Sequence, residues 1–345
     1  MERVRSDGDA ALDPRRLVRP AAVRLRLRGR RVRRAVVRVL PLSHRGPVLH
    51  GPCSCVKRGN RSMDEREIAA AMAVVAGREL LARAADALAT VDVVPVALKG
   101  VVLSALSEGW GAPPRRMLDV DVLVRPRERD VAERALAAAG LEPVARSAVA
   151  TTMRSSELGL DLDLHAALVE PELFQLDTEG LVERAEDASA LFGHPVLVLE
   201  RHDMYAHLVA HFARNRSNVR DQRRLGDFSI VARALPMRPE VLATHLVDRG
   251  LARAARYALA LASRQGDRFA ASVLSALPRD TVGAIVARGA ESWLSAHAGN
   301  APLAVPALHA LNHSLPAGMR SLTAHATRAL ASRARRVLER AAESR

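Results

Sequence analysis

The sequence predicts an α+β protein: a small mixed β-sheet with flanking helices, followed by an all-helical region. Three observations carry this. Short β-like runs, "VPVAL" (94–98), "LDVDVLV" (118–124) and "LDLDLH" (160–165), alternate with helical stretches in the first part of the chain. Beyond about residue 201 every periodic stretch has helical spacing. The apolar fraction of 49% is enough for a real core, although aromatic residues make up only 3%, so Leu, Val and Ala must build it.

In chain order, a helix is expected over about 64–90, with Val74, Leu81 and Leu88 on one stripe. The buried strand "VPVAL" ends at Lys99-Gly100, and a short helix spans about 101–108. The loop "EGWGAPPRR" is broken by Gly and Pro. Strand 118–124 is followed by a helix over about 127–139 that stops at Gly140, then a strand near 142–146 and a β-ribbon over about 149–166. "HPVLVLE" (194–200) reads as another strand. Helices are expected over 201–215, 219–235, 238–249, 251–264 and onward, without an internal repeat. Three regions follow: 1–62, 63–200 and 201–345.

The formal net charge of +14 is concentrated at one end. Residues 1–62 hold 17 basic and four acidic side chains, whereas the rest of the chain is nearly neutral. A nucleic-acid-binding surface is therefore not expected on residues 63–345. The first segment has three readings. It is a disordered basic arm for nucleic acid or anionic surfaces, a targeting segment, or upstream sequence joined by a mis-assigned start. Targeting lacks an apolar core and a small-residue cleavage site, and the third reading is preferred because Met63 opens "MDEREIAAAMAVVAGRELL", with acids in the first helical turn. Cys53 and Cys55 also lie in this segment, too close in sequence for an ordinary disulfide and without a second pair for zinc. No apolar run approaches the ~18 residues of a membrane span. A cytoplasmic protein is expected, with no membrane association.

The chemistry gathers on two strands. On "LDVDVLV", Asp119 and Asp121 share one face while Val120 and Val122 point into the core. On "LDLDLHAAL", Asp161, Asp163 and His165 share one face opposite Leu160, Leu162 and Leu164. If the strands are neighbours, three or four carboxylates converge; oxygen ligands of this kind suit Mg²⁺ or Mn²⁺, and a paired metal site serves in-line phosphoryl chemistry. One carboxylate can act as general base toward an incoming hydroxyl. The alternative is the polar outer face of an amphipathic ribbon. Lys99 is one of only two lysines in a chain with fifty arginines. A lysine beside a glycine at a strand-to-helix turn supplies a compact charge and close backbone N–H groups for phosphate.

Elsewhere, His207 and His211 share a helix face and suit a pocket lining, a structural role or, without the Glu of HExxH, a zinc site. Asp227, downstream of Arg220, Arg223 and Arg224, could pair with one of them or reach the site, and Trp110 could stack on a base or anchor its loop. The run 328–340 reads as a solvated, Arg-faced helix.

Taken in order, "ALKGVVLSAL", "RRMLDVDVLVRP", "AERALAAAGLEP" and "LDLHAAL", with the later "HLVAHFARNRSNVRDQRRLGDFSIVARA", resemble the uncharacterised nucleotidyltransferase family of the polymerase-β-type superfamily. The resemblance covers about residues 70–235. It implies a nucleotidyltransferase fold and Mg²⁺-dependent (or Mn²⁺-dependent) transfer of a nucleoside monophosphate from an NTP to an acceptor, releasing pyrophosphate. It implies that Asp119, Asp121 and Asp163 bind the metals, with Asp163 also the base and Asp161 its less favoured alternate. Lys99 and Gly100 would cradle the phosphates. Arg115 would meet the triphosphate or brace the carboxylates, and His165 would orient or contact the acceptor. This chain departs from the superfamily in having Val101 after Gly100 where a serine is usual, and Ala166 where the family often has Trp after the strand histidine. The partners expected are an NTP and an unidentified small-molecule, peptide or protein acceptor. Two other functions fit the same residues: a toxin–antitoxin or defence-type protein with a protein partner, and a non-catalytic binding module.

Overall fold

The computed structural model describes residues 65–110, 117–170, 173–174, 176–218, 220–296, 301–312 and 316–327. The readings made for residues 1–62 with Cys53 and Cys55, for Arg115, and for the run 328–340 lie outside the described residues.

The first helix, α1 (Glu65–Ala89), carries Glu65 and Glu67 in its first turn, where carboxylates suit the positive end of the helix dipole. Its stripe of Leu80, Leu81, Ala84, Ala85 and Leu88 is buried. The strand expected at 94–98 pairs only over β1 (Val96–Ala97). The following helix, α2, begins at Lys99 rather than 101 and runs to Ser107, continuing as a 3₁₀ turn over Glu108–Trp110. β2 (Asp119–Leu123) buries Val120 and Val122 completely. A short 3₁₀ turn opened by Pro126 leads into α3 (Arg129–Ala138). Past its end, Gly140 takes a φ of 90°, the left-handed conformation glycine tolerates best. β3 (Glu142–Arg146) is exposed throughout. β4 (Ala150–Ser155) and β5 (Leu160–His165) form the expected ribbon, and Gly159 turns it at a φ of 64°.

Between 170 and 200 the chain is more broken than its sequence suggests. It forms α4 (Thr178–Glu183), β6 (Glu186–Asp187), α5 (Ser189–Phe192) and β7 (Leu197–Val198). The last is a remnant of the strand expected over 194–200. Helices then follow as α6 (Arg201–Arg214), α7 (Gln222–Ala234), α8 (Pro239–Asp248), α9 (Ala252–Arg264), α10 (Arg268–Ala276), α11 (Thr281–Ala296) and α12 (Ala301–Ala310). Among the described residues no helix is long and apolar enough to cross a membrane.

The described strands form one seven-stranded mixed sheet in the order β3-β4-β5-β2-β1-β7-β6. The central pair is decisive. β2 and β5 run parallel with Asp119 opposite Asp161, Asp121 opposite Asp163, and Leu123 opposite His165. β1 lies antiparallel to β2 on the other side, and Leu98 N–H donates to the Asp121 carbonyl oxygen at 3.0 Å. One apolar core runs from Leu80 through the sheet and into the helices as far as Leu311, so residues on both sides of position 200 pack together.

The joint between sheet and helices is clamped by a buried carboxylate. Asp203, in the first turn of α6, is 1% exposed. It accepts from Arg184 Nε at 2.8 Å and His245 Nε2 at 2.9 Å, and Arg249 Nη2 lies 3.2 Å away. Burial by itself would raise this carboxyl, but these donors outweigh it and hold it below the usual range. A lowered carboxyl stabilises the fold fully above the ordinary Asp value near ~3.9, and that contribution is lost as pH falls through the lowered value. Asp203→Asn should therefore cost about 1–3 kcal/mol at neutral pH. Urea unfolding from pH 7 to pH 3 should show a shallower acid-side loss of stability in the variant than in the wild type.

Candidate active site

The site is built where β1, β2, β5 and α6 meet. On β2 and β5 the polar face holds Asp119, Asp121, Asp161, Asp163 and His165, because alternate residues of paired strands point the same way. The structure separates these carboxylates into two groups. Asp161, nearer the ribbon turn, is taken by Arg154 of β4 through Nε at 2.9 Å and Nη2 at 3.1 Å. Asp163, one step inward, accepts from Thr152 Oγ1 at 2.6 Å and faces Asp121 and His165. Potential ligand atoms of Asp121, Asp163 and His165 all lie within 4.8 Å of one another. Asp119 sits outside that group at the more open end of β2, yet close enough to feel it. Burial and the charge of Asp121 raise its carboxyl, Asp163 adds to the rise, and Lys99 and Arg223 oppose it.

Asp121 is the centre of the cluster and is 4% exposed. Its Oδ1 accepts from Lys99 Nζ at 2.6 Å, and His165 Nε2 lies 3.0 Å from the same oxygen. Burial would raise this carboxyl, but the charge of Lys99 and the hydrogen bond from His165 dominate and drive it far below the usual range. The carboxylate is therefore ionised, which suits a cation-binding group.

Lys99 reaches this place through local geometry. The hydrogen bond from Leu98 to Asp121 fixes the chain beside β2, so the turn into α2 must come at the next residue. Lys99 itself takes it, with a φ of 43°. The glycine at 100 was expected to provide that turn; instead it lies buried inside α2. A non-glycine residue in the left-handed region costs on the order of 1–3 kcal/mol, and such strain concentrates at functional sites. Residues Lys99 and Gly100 thus keep the strand-to-helix junction expected of them, with the unusual backbone on the lysine.

The helical region closes one side. His207 and His211 of α6 stack edge-to-face with ring centroids 5.9 Å apart. Burial holds both imidazoles well below their ordinary values, and the charge of Lys99 lowers them further. Asn215 Nδ2 donates to His211 Nε2 at 2.7 Å and to the His211 carbonyl at 3.0 Å, so this imidazole accepts and is neutral. Arg214, one turn on, makes two 2.8 Å hydrogen bonds to Glu170, which raise its pKa, and it also feels the charges of Asp163 and Asp121. From α7, Arg223 acts on Asp119, while Arg224 bonds Ser217 Oγ at 3.0 Å and lies 3.2 Å from Asp221. Asp227 is buried on the same helix. Trp110 is an anchor: the Arg233 guanidinium of α7 sits 4.7 Å above its ring.

Three contributors were not singled out from sequence. Thr152 and Arg154 choose between Asp163 and Asp161, and their signal was present in the ribbon: a turn at 156–159 brings 152 opposite 163 and 154 opposite 161. Arg214 carries no such signal, because it approaches from a helix remote in sequence. The carboxylate and imidazole donors fit a divalent cation in number, charge and spacing.

Comparison with known proteins gives this arrangement a family. No curated protein sequence matches the chain. Among solved structures, ANT(2'')-Ia in complex with adenylyl-2''-tobramycin is 14% identical, covering 50% of this chain and 97% of that one at a TM-score of 0.36. An antigenic nucleotidyltransferase-like protein from Paracoccidioides brasiliensis is 15% identical, covering 60% of this chain and 95% of that one at a TM-score of 0.37. The model of one protein family matches residues 35–265, a span that starts upstream of Met63 and takes in the sheet, the site and α6 to α9. The chain belongs to that family, the uncharacterised nucleotidyltransferases.

Proposed function

We propose that this protein transfers a nucleoside monophosphate from an NTP to a hydroxyl acceptor with release of pyrophosphate, in a reaction that needs a divalent ion. The observation that carries this reading is the pairing of Asp121 with Asp163 on adjacent parallel strands, with Lys99 against them. A bound ion would neutralise charge on the triphosphate and align it for in-line attack. Asp121 and Asp163 would hold it, with Asp119 at the open end contributing a further carboxylate. Asp163 also serves as base: Thr152 fixes its orientation, and it accepts the proton of the attacking hydroxyl. Lys99, at the head of α2, turns from Asp121 toward the phosphates, joined by the backbone at Gly100. Arg223 and Arg214 add positive potential at the carboxylates, where the triphosphate would sit. Arg115 belongs to this proposal from sequence alone.

Three outcomes test it. In thermal-shift titrations, Mg²⁺ together with an NTP should raise the melting temperature by mass action. Asp119→Asn should abolish the Mg²⁺-dependent part, and an unchanged shift in that variant would exclude the proposal. Asp163→Asn should slow nucleotidyl transfer by about 10²–10⁴ fold and, because Asp163 also holds the ion, weaken the Mg²⁺-dependent part of NTP binding. Lys99→Met removes the cation from a buried carboxylate and should cost about 3 kcal/mol in urea unfolding. Added divalent ion should restore part of that loss.

A further inference from the structure

We infer that His165 is itself a metal ligand, binding through Nε2 beside Asp121 and Asp163, and that its imidazole makes the site prefer a first-row transition ion to Mg²⁺. The inference deepens the nucleotidyl-transfer reading and rests on it, since both need an ion at these carboxylates.

The placement of the two ring nitrogens of His165 points to this role. Its Nδ1 lies 3.3 Å from the carbonyl oxygen of Ala167. Nε2 faces Asp121 Oδ1 at 3.0 Å. Asp163 offers a third ligand atom, and the three lie within 4.8 Å of one another, the spacing of groups that share one ion. A ring nitrogen tied to a backbone carbonyl while the other points at carboxylates is the usual second support of a metal-ligating histidine. The burial is equally specific: His165 is 6% exposed and Asp121 is 4% exposed, so bulk water does not screen the contact.

The donor atoms explain the preference. Asp121, Asp163 and His165 offer two oxygens and one nitrogen within 4.8 Å. Mg²⁺ favours a shell of oxygens and keeps its waters, whereas an imidazole nitrogen favours the borderline ions of the first transition row. An ion bound there would take both Nε2 and Asp121 Oδ1 as donors. Lys99 Nζ gives up the same Oδ1, which frees it for the phosphates.

The test uses the full-length chain, metal-free and untagged, titrated with Mn²⁺ and followed by electron paramagnetic resonance. Spin-echo modulation should show a coupled imidazole nitrogen in the wild type. His165→Gln should lose that coupling and weaken Mn²⁺ binding about tenfold or more, with Mg²⁺ affinity, read by competition, changing much less. His211→Asn should keep the coupling, which removes the neighbouring histidines as its source. If His165→Gln does not fold, His165→Glu, which keeps an oxygen donor but no nitrogen, makes the same comparison. Mn²⁺ bound to the wild type without nitrogen coupling, or coupling that survives the His165 variants, overturns the inference and leaves the carboxylate site standing. Failure of the wild type to bind Mn²⁺ or Mg²⁺ at all overturns both.

Discussion

The register between β2 and β5 is the constraint on which the site depends. It sets Asp121 beside Asp163 and Asp119 beside Asp161, four acids on one face of two adjacent strands. Two like charges about 4 Å apart repel by about 4 kcal/mol at the effective dielectric of a protein surface. A sheet with this register is stable only if cations come to it. Arg154 answers Asp161 at the exposed end, and Lys99 answers Asp121 in the interior. The two answers differ in kind. The Arg154 pair is solvated and adds little, while the Lys99 pair is buried and would leave an uncompensated charge if either partner were lost.

That difference separates structural acids from candidate catalytic ones. Asp161 is held by two hydrogen bonds to one guanidinium and lies outside the cluster of close ligand atoms. Asp163 accepts one hydrogen bond, from a neutral hydroxyl, and keeps its remaining acceptor sites. Asp121 is bound by an ammonium, a single compact charge that can move away on a flexible stem. The strained backbone of Lys99 fits the same picture, since a residue at a φ of 43° persists only where its surroundings hold it.

The helices after residue 200 belong to the site as much as the sheet does. Asp203 ties the start of α6 to Arg184, next to α4, and to His245 and Arg249 of the α8 end. Held there, α6 presents His207, His211 and Arg214 toward Lys99 and the carboxylates. The imidazoles stay uncharged because burial and the neighbouring ammonium oppose protonation. Along α6 the neutral imidazoles give way to guanidinium charge at Arg214, and Arg223 of α7 adds to it.

The sequence by itself determined the parts whose cause is local. Period-two alternation at 118–124 and 160–165 put the acids on one face of each strand, since valine and leucine must face the core. Helical spacing marked α1 and the helices from 201 onward to within a few residues. The resemblance named Asp119, Asp121, Asp163 and Lys99, which the fold brings to one end of the sheet. Local rules did not reach the short pairings at β1, β6 and β7, because two-residue strands exist only through their partners. Nor did they place the turn on Lys99 rather than Gly100, which follows from a hydrogen bond to Asp121 over twenty residues away. The choice of Asp163 over Asp161 for the cluster, and the turning of His165 toward Asp121, were decided by tertiary structure alone. Both depend on which neighbours the sheet supplies, Thr152 and Arg154 on one strand and the Ala167 carbonyl beyond another, and that electrostatic environment exists only once the strands are paired.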